Sequence, residues 1–389
     1  MDFTETIKQL IQNSALSKTD WNMVIASPLG FFLPEMKRTL QNPEFHGEGD
    51  VCIHTRMVCE ALTADPDFYT LSDVQRIGLF AAAVFHDVGK IRTTRLEDEK
   101  WVSPHHSSTG SLMTREYLWM DCGLCGNMDR IRLRELICAL VRYHMLPVHL
   151  IDQEDSERKA REVAAIGELV PDFSWKLLCM LSKADMQGRI ASDIEEQLVK
   201  IELCQEVCRE TGCFDAPYHF PDSYTRHAYL SGRNVMPEQS MYDDTWDEVI
   251  LMSGLPGTGK DTWIRNYASE YPIISLDDIR KELHVLPTDN QGVVIREAQE
   301  RAKAYLRKHQ PFVWNATDIT KDTRQKQISL FERYGARVRI VYLETDWDTQ
   351  LQRNNSRADE VPVEAMGKML GKTVLPLPEE AQAVEWIAV

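Results

Sequence analysis

Two groups of residues in this sequence have the types and spacing that phosphorus chemistry needs. The first is Gly254-Leu255-Pro256-Gly257-Thr258-Gly259-Lys260, followed by Asp261 and Thr262. Glycines let a backbone curl until its N–H groups face phosphate oxygens, and a helix start adds partial positive charge. Lys260 would reach the β- and γ-phosphates. An apolar run at 249–253 precedes the motif and a helical pattern follows it, which is the context a phosphate-binding loop requires. An ordinary glycine turn is the plain alternative, and the strand, motif and helix together argue against it. The expected ligand is ATP or another NTP with Mg2+. A Ser or Thr usually follows the lysine and binds that ion. Asp261 stands there instead. It can supply a carboxylate, or Thr262 can substitute, and the sequence leaves both open.

The second group is histidine-rich. Seven of the eleven histidines lie between residues 46 and 149, and His86-Asp87 closes an apolar helical stretch at 78–85. Neutral imidazoles and carboxylates brought together from different helices suit Mn, Fe, Co, Ni or Zn. A lone helix histidine is ordinarily structural, so the reading rests on several residues acting together.

The elements that must position these groups differ along the chain. Up to about residue 211, apolar residues recur at three- and four-residue spacings, as in 76–85, 133–141 and 175–181, with almost no alternating runs. An all-α domain is expected over 1–211. Residues 212–245 hold Pro217, Pro221 and Pro237 with several Asp, Ser and Tyr, and read as a linker or docking segment. From 246 to 389 the period changes. Strand candidates at 249–253, 273–276, 312–314 and 337–343 are separated by helical patterns, notably 293–308 and 321–334. Such alternation gives a parallel sheet with helices on both faces, an α/β P-loop domain.

The bulk numbers agree with two globular domains. The chain has 389 residues, 43% hydrophobic and 27% charged, enough for two separate cores. No apolar run approaches the roughly 18 residues of a membrane helix. The start, Met1-Asp2-Phe3-Thr4-Glu5, has no basic leader region, so a cytoplasmic enzyme is expected, with no membrane partner. Nine cysteines, all between Cys52 and Cys213, are an odd count that argues against a disulfide framework. Cys122-Gly-Leu-Cys125 is an isolated pair, and Cys204, Cys208 and Cys213 read as packing residues, with a structural zinc site as the alternative. The net charge of −16 excludes a broad basic face that coats nucleic acid. It does not exclude an enzyme that grips only a strand end.

The stretch from Gly254 to Trp263 resembles the polynucleotide kinase family. Downstream comes Leu276-Asp277-Asp278-Ile279-Arg280. The resemblance implies that Asp277 is the general base on an acceptor 5′-OH and that Arg280 holds the acceptor phosphate. A carboxylate at a strand end can accept that proton. The plain alternative is that both aspartates cap the next helix. Trp314-Asn315-Ala316-Thr317-Asp318 and then Arg324 are similar to the family's acceptor-binding segment. There Thr317, Asp318 and Arg324 would contact the acceptor, although Ala316 and Asp318 stand where the family carries Asp and Asn. Arg353-Asn-Asn-Ser-Arg357 resembles the lid, whose paired arginines can clamp a triphosphate and neutralise transition-state charge. The resemblance spans about 247–370.

His86-Asp87-Val-Gly89-Lys90 resembles the signature of the HD phosphohydrolase superfamily. His54, then His106 and His144, then Asp185 occur in the family's order. Residues 42–50 look like the lead-in of HD domains attached to tRNA-processing enzymes. The resemblance, over about 45–190, implies one ion on His54, His86, Asp87 and Asp185. It implies a second on His106 and His144, with Asp87 able to bridge, the ions being Ni, Co, Mn or Zn. Lys90 and Arg189, three and four residues beyond Asp87 and Asp185, can neutralise phosphate charge. His105 is the alternative to His106. His46 and His149 read as structural or surface residues.

The two domains in this order resemble the bacterial HD-Pnk end-healing family. That implies NTP-dependent phosphorylation of 5′-OH ends of RNA or DNA. It also implies removal of 2′,3′-cyclic, 2′- or 3′-phosphates, with a separate nucleic-acid ligase as partner. The rival is a nucleotide phosphohydrolase joined to a small-molecule or nucleoside kinase. A regulator that binds nucleotide without turnover is a third class.

Overall fold

The computed structural model describes residues 3–16, 19–286, 288–356 and 359–389. The chain forms two compact units, Met1–Leu124 with Asp129–Tyr218, and Cys125–Met128 with His219–Val389.

The first unit is built around a helix that is apolar on every side. Asp73–Phe85 starts at Ser72, whose hydroxyl accepts from Gln75 N while the Gln75 side chain returns to Ser72 N, a reciprocal cap. From Ile77 to Phe85 every residue is buried. A helix without a polar face belongs in a core. Complete burial of Phe80 and Phe85 contributes roughly 1.5–3 kcal/mol each. The helix therefore delivers His86 and Asp87 to the interior. The helices Val51–Ala64, capped by Asp50, and Trp175–Gln187, capped by Ser174, pack on it and on each other. They carry His54 and Asp185.

The expectation that the first part is all-α needs one correction. A hairpin joins β1 (Arg95–Glu97) to β2 (Lys100–Val102), antiparallel, with Glu97 opposite Lys100. Asp98 and Glu99 both have positive φ, 46° and 63°, as a tight two-residue hairpin turn requires. The turn has neither Asn nor Gly, so it gave no sequence signal.

The second unit is a five-stranded sheet of β3 (Glu248–Ser253), β4 (Ile273–Ser275), β5 (Val313–Asn315), β6 (Arg337–Glu344) and β7 (Ala383–Ala388). The order is β4-β5-β3-β6-β7 and every pairing is parallel. The reading of the sequence had missed β7, which pairs with β6 through Tyr342 and Trp386. On one face Ile279, Ala298, Leu306, Ile328 and Phe331 form a core. On the other, Trp263 and Ile264 pack against Ile250, Met252, Val341 and Leu343. The chain leaves β3 to one side for β4 and β5 and to the other for β6 and β7. The C-terminal end of β3 is thus a topological switch point, where open α/β sheets bind ligands.

Residues 219–245 belong to this second unit. The helix Ser223–Leu230 starts on Asp222. Its His227 bonds through Nδ1 to Glu379 O at 3.1 Å, and its Nε2 lies 2.5 Å from Glu332 Oε1. Arg226 donates to Gln382 O at 3.0 Å. Among the described residues no helix is long and apolar enough to cross a membrane.

Candidate active sites

In the first unit the structure brings all six expected ligands together. His86 follows the end of the apolar helix and Asp87 comes next. His144 lies just past the helix Met128–Tyr143, and His106 opens the helix His106–Met120. His54 Nε2 lies 3.1 Å from Asp185 Oδ1, 3.2 Å from His86 Nε2 and 3.6 Å from Asp87 Oδ2. The other oxygen of Asp87 faces His106 Nε2 at 3.4 Å and His144 Nε2 at 4.0 Å. Those two nitrogens are 3.4 Å apart. Ligand atoms of His54, His86 and Asp87 all lie within 4.8 Å of one another, as do those of Asp87, His106 and His144.

The second ring nitrogens settle what these atoms can do. Nδ1 of His54, His86, His106 and His144 bonds to the carbonyls of Gly188, Ala83, Ser103 and Val141 at 3.0, 2.8, 2.9 and 2.8 Å. A carbonyl only accepts, so Nδ1 carries the hydrogen and Nε2 presents a lone pair. Lone pairs facing lone pairs and carboxylates at 3.1–3.4 Å repel unless something positive lies between them. Ligands about 2.1 Å from an ion and roughly 90–110° apart are about 3.0–3.4 Å from each other. The donor set therefore fits divalent ions. The backbone anchoring of Nδ1 is the usual support of metal-binding histidines.

Charge follows the same geometry. Burial opposes a charge on His54, but hydrogen bonds to Asp185 and Glu48 outweigh it and bring its pKa up to about 9, so a proton and a divalent ion compete for the lone pair on its Nε2. Burial, with His86 and His106 alongside, pushes His144 down to about 3. Burial would raise Asp87, yet Lys90 and His86 hold its carboxyl well below the usual range.

One glycine makes this convergence possible. A Cβ on Gly89 would sit 1.9 Å from His106 O and 2.6 Å from Gly110 N, distances that no side chain tolerates. Only glycine lets the Asp87 turn touch the start of the His106 helix. His105 is exposed and left-handed, φ 56°, so His106 is the residue turned to the site. His149 is exposed.

Lys90 Nζ lies 2.7 Å from Asp87 Oδ2 and donates to Gln41 Oε1 at 2.8 Å. Arg189 has a buried Nε without a partner and contacts the Met186 sulfur. It sits between Gly188, whose carbonyl holds His54, and Ile190, whose N–H bonds to Glu48 at 2.8 Å. The sequence reading missed Gln41 and Glu48 and set His46 aside. The structure places His46 Nδ1 2.8 Å from Glu48 Oε1 and its Nε2 3.4 Å from Lys90 Nζ. Glu48 also contacts His54 Nδ1 at 3.1 Å. The spacing His46-x-Glu48 just before His54 was the available signal.

In the second unit the glycine-rich loop closes off β3. Gly254, Gly257 and Gly259 all have positive φ. A Cβ on Gly254 would lie 2.5 Å from Leu343 O. The loop is tied down by Thr258 Oγ1 to Leu255 O at 2.9 Å and by Gln350 Nε2 to Pro256 O at 2.9 Å. Lys260 Nζ turns back onto the carbonyls of Gly254 and Leu255 at 2.8 and 3.0 Å. Asp261 and Thr262 are exposed on the first turn of the helix Lys260–Tyr267. Arg353 Nη1 lies 3.6 Å from where a Cβ on Gly259 would be, so this arginine reaches the loop. Arg357 lies outside the described residues.

The expected acceptor residues divide. Asp277 and Arg280 form an ion pair one turn apart in the helix Leu276–Glu282, and Arg280 Nε donates to Gln291 at 2.8 Å. Ser275, rather than either aspartate, caps that helix by accepting from Asp278 N. Thr317 is half-buried and its carbonyl accepts from Gly254 N at 2.8 Å. Two assignments are corrected. Arg324 is fully buried, forks onto Glu380 at 2.7 and 2.8 Å, and donates to the carbonyls of Asp318 and Val374 at 3.1 and 2.8 Å. It is a structural strut with no face toward a nucleic acid. Asp318 is buried and accepts from Trp314 Nε1 at 2.9 Å. Burial, against the pull of Trp314, Arg324 and Lys260, holds its carboxyl up to about 6. Its carbonyl accepts from Ser253 Oγ at 3.0 Å, at the end of β3.

Comparison with known proteins agrees with this half of the chain. Residues 249–376 match the family model of an AAA domain, AAA_33. Human heterogeneous nuclear ribonucleoprotein U-like protein 2 is 24% identical over 156 residues, 36% of this chain and 21% of that protein. The mouse protein of the same name is 23% identical over 156 residues, with the same coverage. The chain thus aligns with about a fifth of the length of these relatives. The second unit carries a P-loop nucleotide-binding domain of the kinase-like kind.

Proposed function

We propose that this chain is a bifunctional nucleic-acid end-healing enzyme. The second unit would phosphorylate 5′-OH ends of RNA or DNA, and the first would remove 2′,3′-cyclic, 2′- or 3′-phosphates. The observation that carries the reading is the paired constellation around Asp87. Four imidazole lone pairs and two carboxylates converge in a chain whose other unit holds a phosphate-binding loop.

In the kinase step, the acceptor 5′ oxygen forms a bond to the γ-phosphorus of an NTP. The bond to the β-bridging oxygen breaks, NDP leaves, and the hydroxyl proton passes to Asp277. The loop amides and Lys260 hold the β- and γ-phosphates, and Arg353 screens their charge. An acceptor phosphate would compete with Asp277 for Arg280, which frees the carboxylate as the strand end binds. This use of the ion pair supports Asp277 as base and Arg280 as anchor. The relatives' name is that of a ribonucleoprotein, which favours a nucleic-acid acceptor over a small molecule.

In the first unit His54, His86, Asp87 and Asp185 would hold one divalent ion. His106, His144 and the second oxygen of Asp87 would hold another. Bound ions would supply positive charge to phosphate oxygens and acidify water. Lys90 and Arg189 would draw the phosphate to the mouth of the site, and Gln41 and Glu48 would orient Lys90 and His54. A separate ligase would join the healed ends.

The test offers γ-labelled ATP with a 5′-OH oligonucleotide or with nucleosides, and separately an oligonucleotide ending in 2′,3′-cyclic phosphate. Label on the oligonucleotide and loss of the terminal phosphate are expected. Label on nucleosides alone would replace this reading with a metabolic kinase.

A further inference from the structure

We infer that Asp261 is the protein's direct ligand to the magnesium of the bound nucleotide, aimed by Asn315, and that nucleotide binding is thereby coupled to the metal. The inference rests on the kinase reading of the second unit. In a common phosphate-binding loop, a hydroxyl after the lysine and an aspartate from a separate segment share the magnesium ion. Here the acid stands after Lys260. The strand hydrogen-bonded beside β3 ends in a neutral amide, with Asn315 in register with Met252. Asn315 Nδ2 donates to Asp261 Oδ1 at 2.8 Å. Acid and neutral partner have exchanged places, and the single negative charge is kept.

Three other carboxylates near the ends of these strands are turned elsewhere. Asp318 is buried on Trp314. Glu344 is buried and accepts from the Tyr342 hydroxyl at 2.9 Å. Asp277 faces Arg280. Thr262, the other residue able to serve, has its hydroxyl engaged by Arg265 at 3.1 Å on the exposed side of the helix. Asp261 is left as the exposed carboxylate in the first turn beyond Lys260, with one oxygen held by Asn315.

A carboxylate differs from a hydroxyl in a measurable way. Without magnesium it repels the β-phosphate, and with magnesium it joins the ion. Two unit charges about 5 Å apart at an effective dielectric of roughly 20–80 change an affinity by about four- to several-hundredfold. By reciprocity, nucleotide and magnesium strengthen each other's binding by the same factor.

The experiment titrates the full chain with a fluorescent ADP, with magnesium or with EDTA. Wild type is expected to bind at least about fourfold more tightly with magnesium. D261N and D261S are expected to gain affinity in EDTA and lose most of the magnesium effect. Structural damage would not improve metal-free binding, so that gain separates a ligand from a prop. The exchange variant D261S with N315D should recover magnesium dependence. Equal wild-type binding with and without magnesium, or D261N with its coupling intact, would overturn the inference. If wild type binds no fluorescent ADP under either condition, the kinase reading itself falls.

Discussion

In the proposed two-ion site, Asp87 would decide how many ions the first unit holds. One of its oxygens lies 3.6 and 3.3 Å from His54 and His86, and the other lies 3.4 and 4.0 Å from His106 and His144. Asp87→Asn keeps the size but leaves one oxygen. The new NH2 group is a donor, and it can satisfy one imidazole pair by hydrogen bonding where a cation was required. Wild type, loaded with Mn2+ or Ni2+ and desalted, should carry an ion in each of the two clusters that share Asp87. Asp87→Asn should retain at most one, at reduced affinity. His106→Ala with His144→Ala should also retain one, and adding Asp185→Asn should weaken that one. An ion at a hundredfold its Kd adds about 2.7 kcal/mol to the folded state. At matched free metal the wild type should therefore gain about 5 kcal/mol in the first unit and Asp87→Asn about half of that or less. The assays are metal content by atomic emission, and hydrogen exchange of peptides from the helix Asp73–Phe85 with and without metal. A wild type that takes up one ion, or Asp87→Asn holding two at undiminished affinity, would refute the bridging role.

Other outcomes follow from the same geometry. Lys260→Ala should abolish phosphorylation of 5′-OH ends and spare phosphate removal, and His86→Ala should do the reverse. Loss of both activities from either folded variant would contradict two independent sites. Arg324→Met should destabilise the second unit by about 3–5 kcal/mol, because it strands the buried Glu380 carboxylate. Combining it with Glu380→Leu should restore most of that in chemical unfolding, and an unchanged unfolding midpoint for Arg324→Met would return this residue to the acceptor site. Asp318 has a folded pKa of about 6, above the unfolded value of about 3.9. The folded state then favours the protonated form, so its contribution is complete below pH 4 and is lost as pH rises through 6. Asp318→Asn should gain on wild type by up to about 3 kcal/mol between pH 4 and pH 7, and a pH-independent difference would show that this carboxyl titrates normally.

The sequence announced those parts of the fold where local pattern and tertiary need coincide. The apolar run before His86 is buried on all sides because it is the central helix. The runs at β3 and β6 are buried because both faces of a parallel sheet are covered. The β1–β2 hairpin escaped notice because Asp98 and Glu99 adopt positive φ without being the residues that usually do so. Strand β7 was missed because five of its six residues remain half-exposed at a sheet edge, so it lacks the solid apolar signature of its neighbours. Residues on regular elements, such as His54 and Asp185, were reached through the resemblance to the HD superfamily, whose order they follow, and the fold brings them within 3.1 Å of each other. Arg324 and Asp318 show the opposite case. Their types suit ligand binding, but burial against Glu380 and Trp314 is a tertiary fact that spacing does not carry. Gln41 was invisible because it acts through Lys90 and belongs to no motif, whereas Glu48 was passed over because it acts through His54.

Bare backbone against bare backbone, at Gly89 and Gly110, leaves the histidine-rich half of the molecule no slack. A cavity walled by side chains can be widened or narrowed by trimming them. Here the separation of the Asp87 turn from the His106 helix is fixed by main-chain atoms already in contact. Evolution, or an engineer, seeking a different ion would have to change donor chemistry rather than the spacing.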